Sequence, residues 1–221
     1  MSKKDLTVIT AITDGKDELK PQPRYAGVEY VAYVDRKTQV AGWKTRKACD
    51  KFVEPRMNAR IHKILAHKYA DTPYLVWMDG NMMLKQDPHA LVTLMGKHDF
   101  AFFKHPTRDC LFGEAQVCAS VRKGRFSDLA EQFEAYARRA FPGHAGLCET
   151  TGFVRKNTPR VNVLFERWWA EITRYSNRDQ ISFPVVFAGQ KWATIPGSVR
   201  YRQDDPRFPG NEYFAHGRHQ Q

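Results

Sequence analysis

Short apolar runs that end on turn residues alternate along this chain with longer stretches in which apolar positions recur every three or four residues. Residues 6–13 (LTVITAIT) and 28–35 (VEYVAYVD) are rich in β-branched and aromatic side chains, and they close on carboxylates at Asp14-Gly15 and Asp35. That composition predicts two buried strands, joined by an irregular, proline-containing connection over residues 16–27. Residues 43–53 are assigned to a short helix, and Pro55 suits the first turn of a second helix over residues 56–69. A third apolar run, residues 74–78 (YLVWM), reads as a buried strand and stops at Asp79-Gly80-Asn81.

Beyond that turn, Asp87-Pro88 opens a helix to about residue 95 with Asp87 as N-cap, and residues 100–103 form a short strand. Helices follow at 109–121 and 126–140. A glycine-containing loop at 143–152 leads into a strand at 152–155. Residues 159–175 have the spacing of an amphipathic helix whose core face is Val163, Phe165, Trp168, Trp169 and Ile172. Residues 176–180 cap a segment at 181–188 that Pro184 interrupts, and the tail from residue 195 is rich in arginine and poor in aliphatics. With no repeat, low-complexity tract or linker, the expectation is one domain over residues 1–221.

Chemistry concentrates around residues 56–81. Asp79 and Asn81 set a carboxylate and a carboxamide two residues apart at the carboxyl end of a strand, with Gly80 between them to allow a sharp turn. In an open α/β sheet ligands collect at that edge. Oxygen donors of this kind suit Mg²⁺ or Mn²⁺, which keep positions open for substrate phosphates. The bland alternative is an ordinary Asp-Gly-Asn turn. In the preceding helix Arg56, Arg60, Lys63 and His67 fall on one stripe, while Ile61, Ile64, Leu65 and Lys68 lie on another side. A basic stripe leading into such a turn is what a metal-bridged diphosphate requires, although a solvated basic face has the same pattern. Asp14 and Asp35, at the ends of the first two strands, are candidate nucleoside contacts or ordinary strand-end turns.

Composition narrows the setting. The 221 residues carry 35 Lys+Arg against 24 Asp+Glu, a formal charge of +11. A field of that sign concentrates anions, whether nucleotide-sugar, anionic glycan, lipid head groups or nucleic acid. No run of apolar residues is long enough to span a bilayer and the N-terminus lacks a secretory core, so a cytoplasmic protein is expected unless it rides on a membrane partner. Cys49, Cys110, Cys118 and Cys148 have no C-x-x-C spacing, which argues against a zinc site and for reduced thiols.

The run from Arg60 to Pro88, with its W-x-D-G-N core, resembles a family of glycosyltransferase-like proteins found in plants, where one branch is tied to seed mucilage, and in bacteria and phages. KHPTRDC at 104–110, Glu114, Cys118, GLCETTGFVRKN at 146–157, Trp168-Trp169 and SNRDQISF at 176–183 extend the resemblance over roughly residues 55–190. It implies a GT-A-like, Rossmann-like α/β fold: a mostly parallel sheet flanked by helices, with a nucleotide-sugar half over about 1–100 and an acceptor half over about 101–221. By that resemblance Asp79 and Asn81 form the metal motif, the neutral Asn81 departing from the strict Asp-x-Asp form. A late histidine, His216 or else His219, completes the ligand set, and Asp179-Gln180 lies where sugar or acceptor hydroxyls bind.

Roles follow from these assignments. Arg56, Arg60 and Lys63 would hold the diphosphate, and Thr13, Asp14 and Asp35 the nucleoside. Should the enzyme invert configuration, it needs a general base, for which Asp179 is the first choice and Glu149 the second. The donor is a nucleotide-sugar and the acceptor a glycan, with DNA bearing hydroxymethylated cytosine as the alternative, offered by the basic surface of Arg200, Arg202, Arg207 and Arg218. A non-catalytic nucleic-acid-binding module would not need Asp79. A two-metal nuclease would need a larger carboxylate cluster than this region shows.

Overall fold

A computed structural model describes residues 3–36 and 38–217. The all-apolar runs become strands buried on both faces. β1 (Leu6–Ile12) is buried at every position, β2 (Val28–Val34) at all but one, and β4 (Tyr74–Met78) at all but its first. Strands without a solvent side read as continuous apolar runs because helices or loops must cover both faces. With β3 (Lys44–Lys47), β6 (Phe100–Lys104), β7 (Cys148–Lys156) and β8 (Ala193–Ile195) they form a seven-stranded sheet in the order β3-β2-β1-β4-β7-β6-β8. Only β7 runs antiparallel to its neighbours β4 and β6, so the sheet is mostly parallel, as expected. Strands from both halves of the chain share it.

Alternate side chains feed two cores. Ile9, Leu75, Trp77 and Phe153 meet α1 (Pro55–Ile64), α5 (Pro159–Arg174) and α6 (Asp179–Val186). Leu6, Val8, Val76 and Met78 meet α2 (His89–Met95) and a two-stranded ribbon of β5 (Met82–Leu84) and β9 (Phe214–His216). A third cluster joins α3 (Leu111–Ser120), α4 (Phe126–Arg138) and α6 through Leu111, Cys118, Tyr136 and Ile181.

Four expectations are corrected. The helix expected at residues 43–53 is absent; Trp43 is buried edge-on to Tyr30, and residues 44–47 pair with β2 as an exposed, charged edge strand, the composition that protects a sheet edge from further pairing. The loop expected up to residue 152 is already strand from Cys148, with a register shift opposite Phe102 and Phe103. Its polar Thr150-Thr151 looked like loop because a bulge lets such residues leave the pairing with β6, where Thr150 meets Lys63 and Asp179 instead. On α5 the buried stripe is Val161, Phe165, Trp168 and Ile172; Val163 is exposed and Trp169 only half-buried. β8, which ends where the arginine-rich tail begins, and β9, within that tail, were not expected. Apart from α1, expected to residue 69 and ending at Ile64, other boundaries move little: α6 accommodates Pro184, and Asp87 accepts from the His89 amide at 3.0 Å where α2 begins.

Among the described residues no helix is long and apolar enough to cross a membrane, and the four cysteines are unpaired thiols.

Candidate active site

The carboxyl ends of β1 and β4, the first turns of α1, the bulge of β7, the start of α6 and the C-terminal segment enclose a cleft of about 1280 Å³. Thr13 and Asp14 line it at the end of β1. The Thr13 hydroxyl donates to the Pro55 carbonyl at 2.7 Å, tying β1 to the start of α1. Asp14 has a left-handed backbone (φ 62°), and its amide donates to Asp35 Oδ2 at 2.5 Å. Asp35 therefore acts on the loop that carries Asp14 and is not itself part of the lining.

On α1 the basic stripe divides. Arg56, Arg60 and Lys63 face the cleft. His67 falls beyond the last residue of α1, in a 3₁₀ turn (Ala66–Lys68), and turns away to meet Glu166 at 3.3 Å and Arg155 at 3.2 Å. The separation arises because the helix stops at Ile64, so a spacing of eleven residues no longer returns to the same face. Burial, followed by repulsion from Arg60 and Arg178, lowers the Arg56 pKa; partial burial and Arg56 do the same to Lys16 across the cleft. Lysine and arginine outnumber aspartate and glutamate among the lining residues nine to five. Crowded cations of this kind are an anion site by Coulomb's law.

Asp179 is the anchor of the stripe. Its Oδ1 accepts from Arg60 at 2.8 Å and from the Gln180 amide at 3.1 Å; its Oδ2 accepts from Lys63 at 2.5 Å and from the Thr150 hydroxyl at 2.9 Å. Burial pushes the carboxyl up, but Arg60, Lys63 and Arg178 together outweigh it and hold its pKa well below the usual carboxylate range. A carboxylate whose four acceptor positions are filled and whose proton affinity is this low is poorly disposed to take a proton from a hydroxyl and well disposed to hold Arg60 and Lys63 in place. Glu149 is buried outside the cleft lining, where its Oε2 accepts from the Val199 amide at 3.3 Å. Gln180 does face the cleft, held by Nε2 on the Cys148 carbonyl at 3.1 Å.

Asp79 lines the cleft at the end of β4, oriented by Trp77 Nε1, which donates to its Oδ1 at 2.8 Å. The glycine after it has a steric reason: a Cβ on Gly80 would collide with the Ile12 side chain. Asn81 is buried below the lining, and its Nδ2 donates to the Gly217 carbonyl at 2.9 Å while its own carbonyl accepts from the Gly217 amide at 2.8 Å. That clasp brings His216, on β9, into the same cleft as Asp79. His219 lies outside the described residues, and among the described ones no three His, Cys, Asp or Glu side chains gather closely enough to hold a metal ion. A carboxylate and an imidazole are nonetheless a fitting partial set for Mg²⁺ or Mn²⁺, whose remaining positions go to water and substrate phosphates.

Several lining residues carried no sequence expectation: Lys16, Asp17, Lys85, Lys123 and Tyr201. Arg178 could have been found, since it precedes the Asp179-Gln180 pair. The expected basic surface of the tail separates into parts. Arg200 and Arg202 line the cleft, Arg207 is held bidentately by Asp205 at 2.8 Å, and Arg218 lies outside the described residues.

Residues 25–194 match the sequence model of the TOD1/MUCI70, glycosyltransferase-like domain family. The chain belongs to this family. The match begins well before the Arg60–Pro88 run. The probable hexosyltransferase MUCI70 of Arabidopsis thaliana is 26% identical over 149 residues, which cover 61% of this chain and 25% of that protein. The chain thus spans about a quarter of the length of this relative. Among solved structures, mouse xyloside xylosyltransferase 1 in its apo form is similar across 98% of both chains, with a TM-score of 0.50 and 8% identity. At that identity the likeness concerns the fold, which is of the GT-A type.

Proposed function

We propose that this chain is a metal-dependent glycosyltransferase that moves a sugar from a nucleotide-sugar donor to a hydroxyl of a glycan. The observation that carries this reading is the convergence of Asp79 and His216 with Arg56, Arg60 and Lys63 on one cleft. Thr13 and Asp14 stand where a nucleoside would lie, with Asp35 bracing Asp14 from behind. Arg56, Arg60 and Lys63 would receive the diphosphate, and Asp179 holds the last two in place before the donor arrives, which removes reorganisation from the reaction itself.

Asp79 and His216 would hold Mn²⁺ or Mg²⁺, Asn81 fixing the chain segment that presents His216. A bound cation would neutralise negative charge growing on the departing nucleoside diphosphate. On the acceptor side, with Asp179 saturated and Glu149 outside the lining, neither carboxylate expected as the base is placed to deprotonate the incoming hydroxyl. The departing phosphate oxygen is then the base at hand. That favours attack from the leaving-group face with retention of configuration, Gln180 orienting the sugar.

The test is release of free nucleotide from a panel of nucleotide-sugars with Mn²⁺ or Mg²⁺. Asp79→Ala should lower metal-dependent turnover by at least about a hundredfold, the usual loss on removing one electrostatic stabiliser, with little change in thermal midpoint. Full activity in Asp79→Ala would reject the assignment. Turnover stimulated by duplex DNA bearing hydroxymethylcytosine, and not by glycans, would replace the acceptor class.

A further inference from the structure

Of the seven large apolar side chains exposed among the described residues, four lie on two segments at the mouth of the cleft. The first is the turn between α3 and α4. Val121 is 53% exposed and Phe126 is 74% exposed, with Val117 at 38% one helical turn back. Between and beside them Arg122, Lys123 and Arg125 are exposed as well, and Lys123 reaches the cleft lining. No acidic residue stands between Glu114, which is buried, and Asp128, which is half-buried. The second segment is Arg200-Tyr201-Arg202, all three in the cleft lining, with Tyr201 70% exposed.

The first turn is held in a defined shape. Arg122 and Gly124 take left-handed backbone angles of 54° and 106°. The Lys123 amide donates to the Cys118 carbonyl at 2.8 Å, closing α3, and Gly124 backs onto the side chains of Leu129 and Arg178. The result is a knuckle with an apolar tip and a cationic collar. Phosphates of a soluble polyanion would be met by the collar alone and would leave the valines in water. A bilayer of anionic lipid meets both, taking the apolar tip at the acyl boundary and the cations at the head groups. The tyrosine between two arginines on the other segment has the same amphipathic composition, suited to the head-group level.

We propose that the α3–α4 turn docks this protein on an anionic lipid surface, with the mouth of the cleft turned toward the bilayer. The site is distinct from the donor-binding residues, so it stands or falls independently of the glycosyl-transfer reading.

The test is co-sedimentation of the full chain with phosphatidylcholine vesicles that contain or lack phosphatidylglycerol. Binding is expected to the anionic vesicles only and to weaken in high salt. Each lysine or arginine near such a surface raises affinity by roughly fivefold, so Arg122→Glu with Arg125→Glu should abolish binding. Phe126→Ser with Val121→Ser should weaken it more than tenfold while thermal midpoint and nucleotide release stay unchanged, since neither residue lines the cleft. Phe126→Ala alone serves as a milder variant should the pair disturb folding. Absence of binding to anionic vesicles, or equal binding by the wild type and the Phe126/Val121 variant, would overturn the proposal. So would duplex DNA retained by the wild type and lost by the variant while vesicles are ignored; the knuckle would then be a nucleic-acid wedge.

Discussion

Asp179 and Glu149 are carboxylates that begin from similar positions. Each sits near the cleft, Asp179 is 2% exposed and Glu149 8% exposed, and each belongs to a polar stretch beside a strand or helix terminus. Burial raises both, yet their net pKa shifts run in opposite directions. Around Glu149 burial is the largest influence and raises the pKa, opposed only by the Val199 amide and by Arg200 and Arg108 at longer range. Around Asp179 burial is again the largest single influence, yet Arg60, Lys63 and Arg178 together reverse it. Burial sets the cost of charge, and the count of facing cations decides whether the charge persists. His62 shows the limit with no ionic partner at all: burial alone takes its pKa down to about 4.

The largest effect expected from this contrast is at Asp179. Asp179→Ala leaves Arg60 and Lys63 facing each other without their anion. Removing one partner of a buried ion pair costs about 3–5 kcal/mol. Denaturant unfolding should show that loss together with loss of donor turnover. A variant with unchanged stability and only a lower rate constant would restore Asp179 as a base. The sign with pH follows from its depressed pKa: the stabilisation is present above the unfolded value of 3.8 and is lost as pH falls below it toward the folded value.

Next comes His62, neutral in the fold and stacked on Tyr33 at 3.8 Å between ring centroids. The unfolded chain takes up a proton that the folded one refuses, so stability should fall as pH drops from 6.5 to about 4. The shift corresponds to about 3 kcal/mol over that window. In His62→Gln this part of the acid limb should vanish from a series of urea titrations, and an unaltered limb would assign it elsewhere.

Smallest is Glu149. With its pKa raised, it contributes stability below the unfolded value of 4.5 that is lost as pH rises through the folded value. Glu149→Gln keeps the acceptor for the Val199 amide and removes the buried charge. It should gain a little stability at neutral pH with turnover preserved; collapse of turnover at unchanged stability would make Glu149 the base after all.

Much of this molecule was legible as pattern. Strands with every position apolar announce themselves, which is why β1, β2 and β4 appeared within a residue of their bounds. The carboxylate at the end of β4 and the cations of α1 were visible as a turn signal and a helical stripe. The misses share a cause. β3, the first half of β7, β8 and β9 are short or polar, and their strand character comes from a neighbour that supplies hydrogen bonds, with no pattern of their own to give it away. Val163 was counted as core because apolarity does not say which side of α5 meets the sheet.

By itself the sequence determined which groups are present at the reacting edge and the family to which the chain belongs, because periodicity and motif order are local properties. Only the tertiary structure decided what those groups do. It closed α1 at Ile64 and so sent His67 to the far side, and it folded the tail back so that Asn81 clasps Gly217 beside His216. It also brought Asp179 across 116 residues onto Lys63. Electrostatic roles depend on through-space neighbours, and those are fixed when distant segments pack.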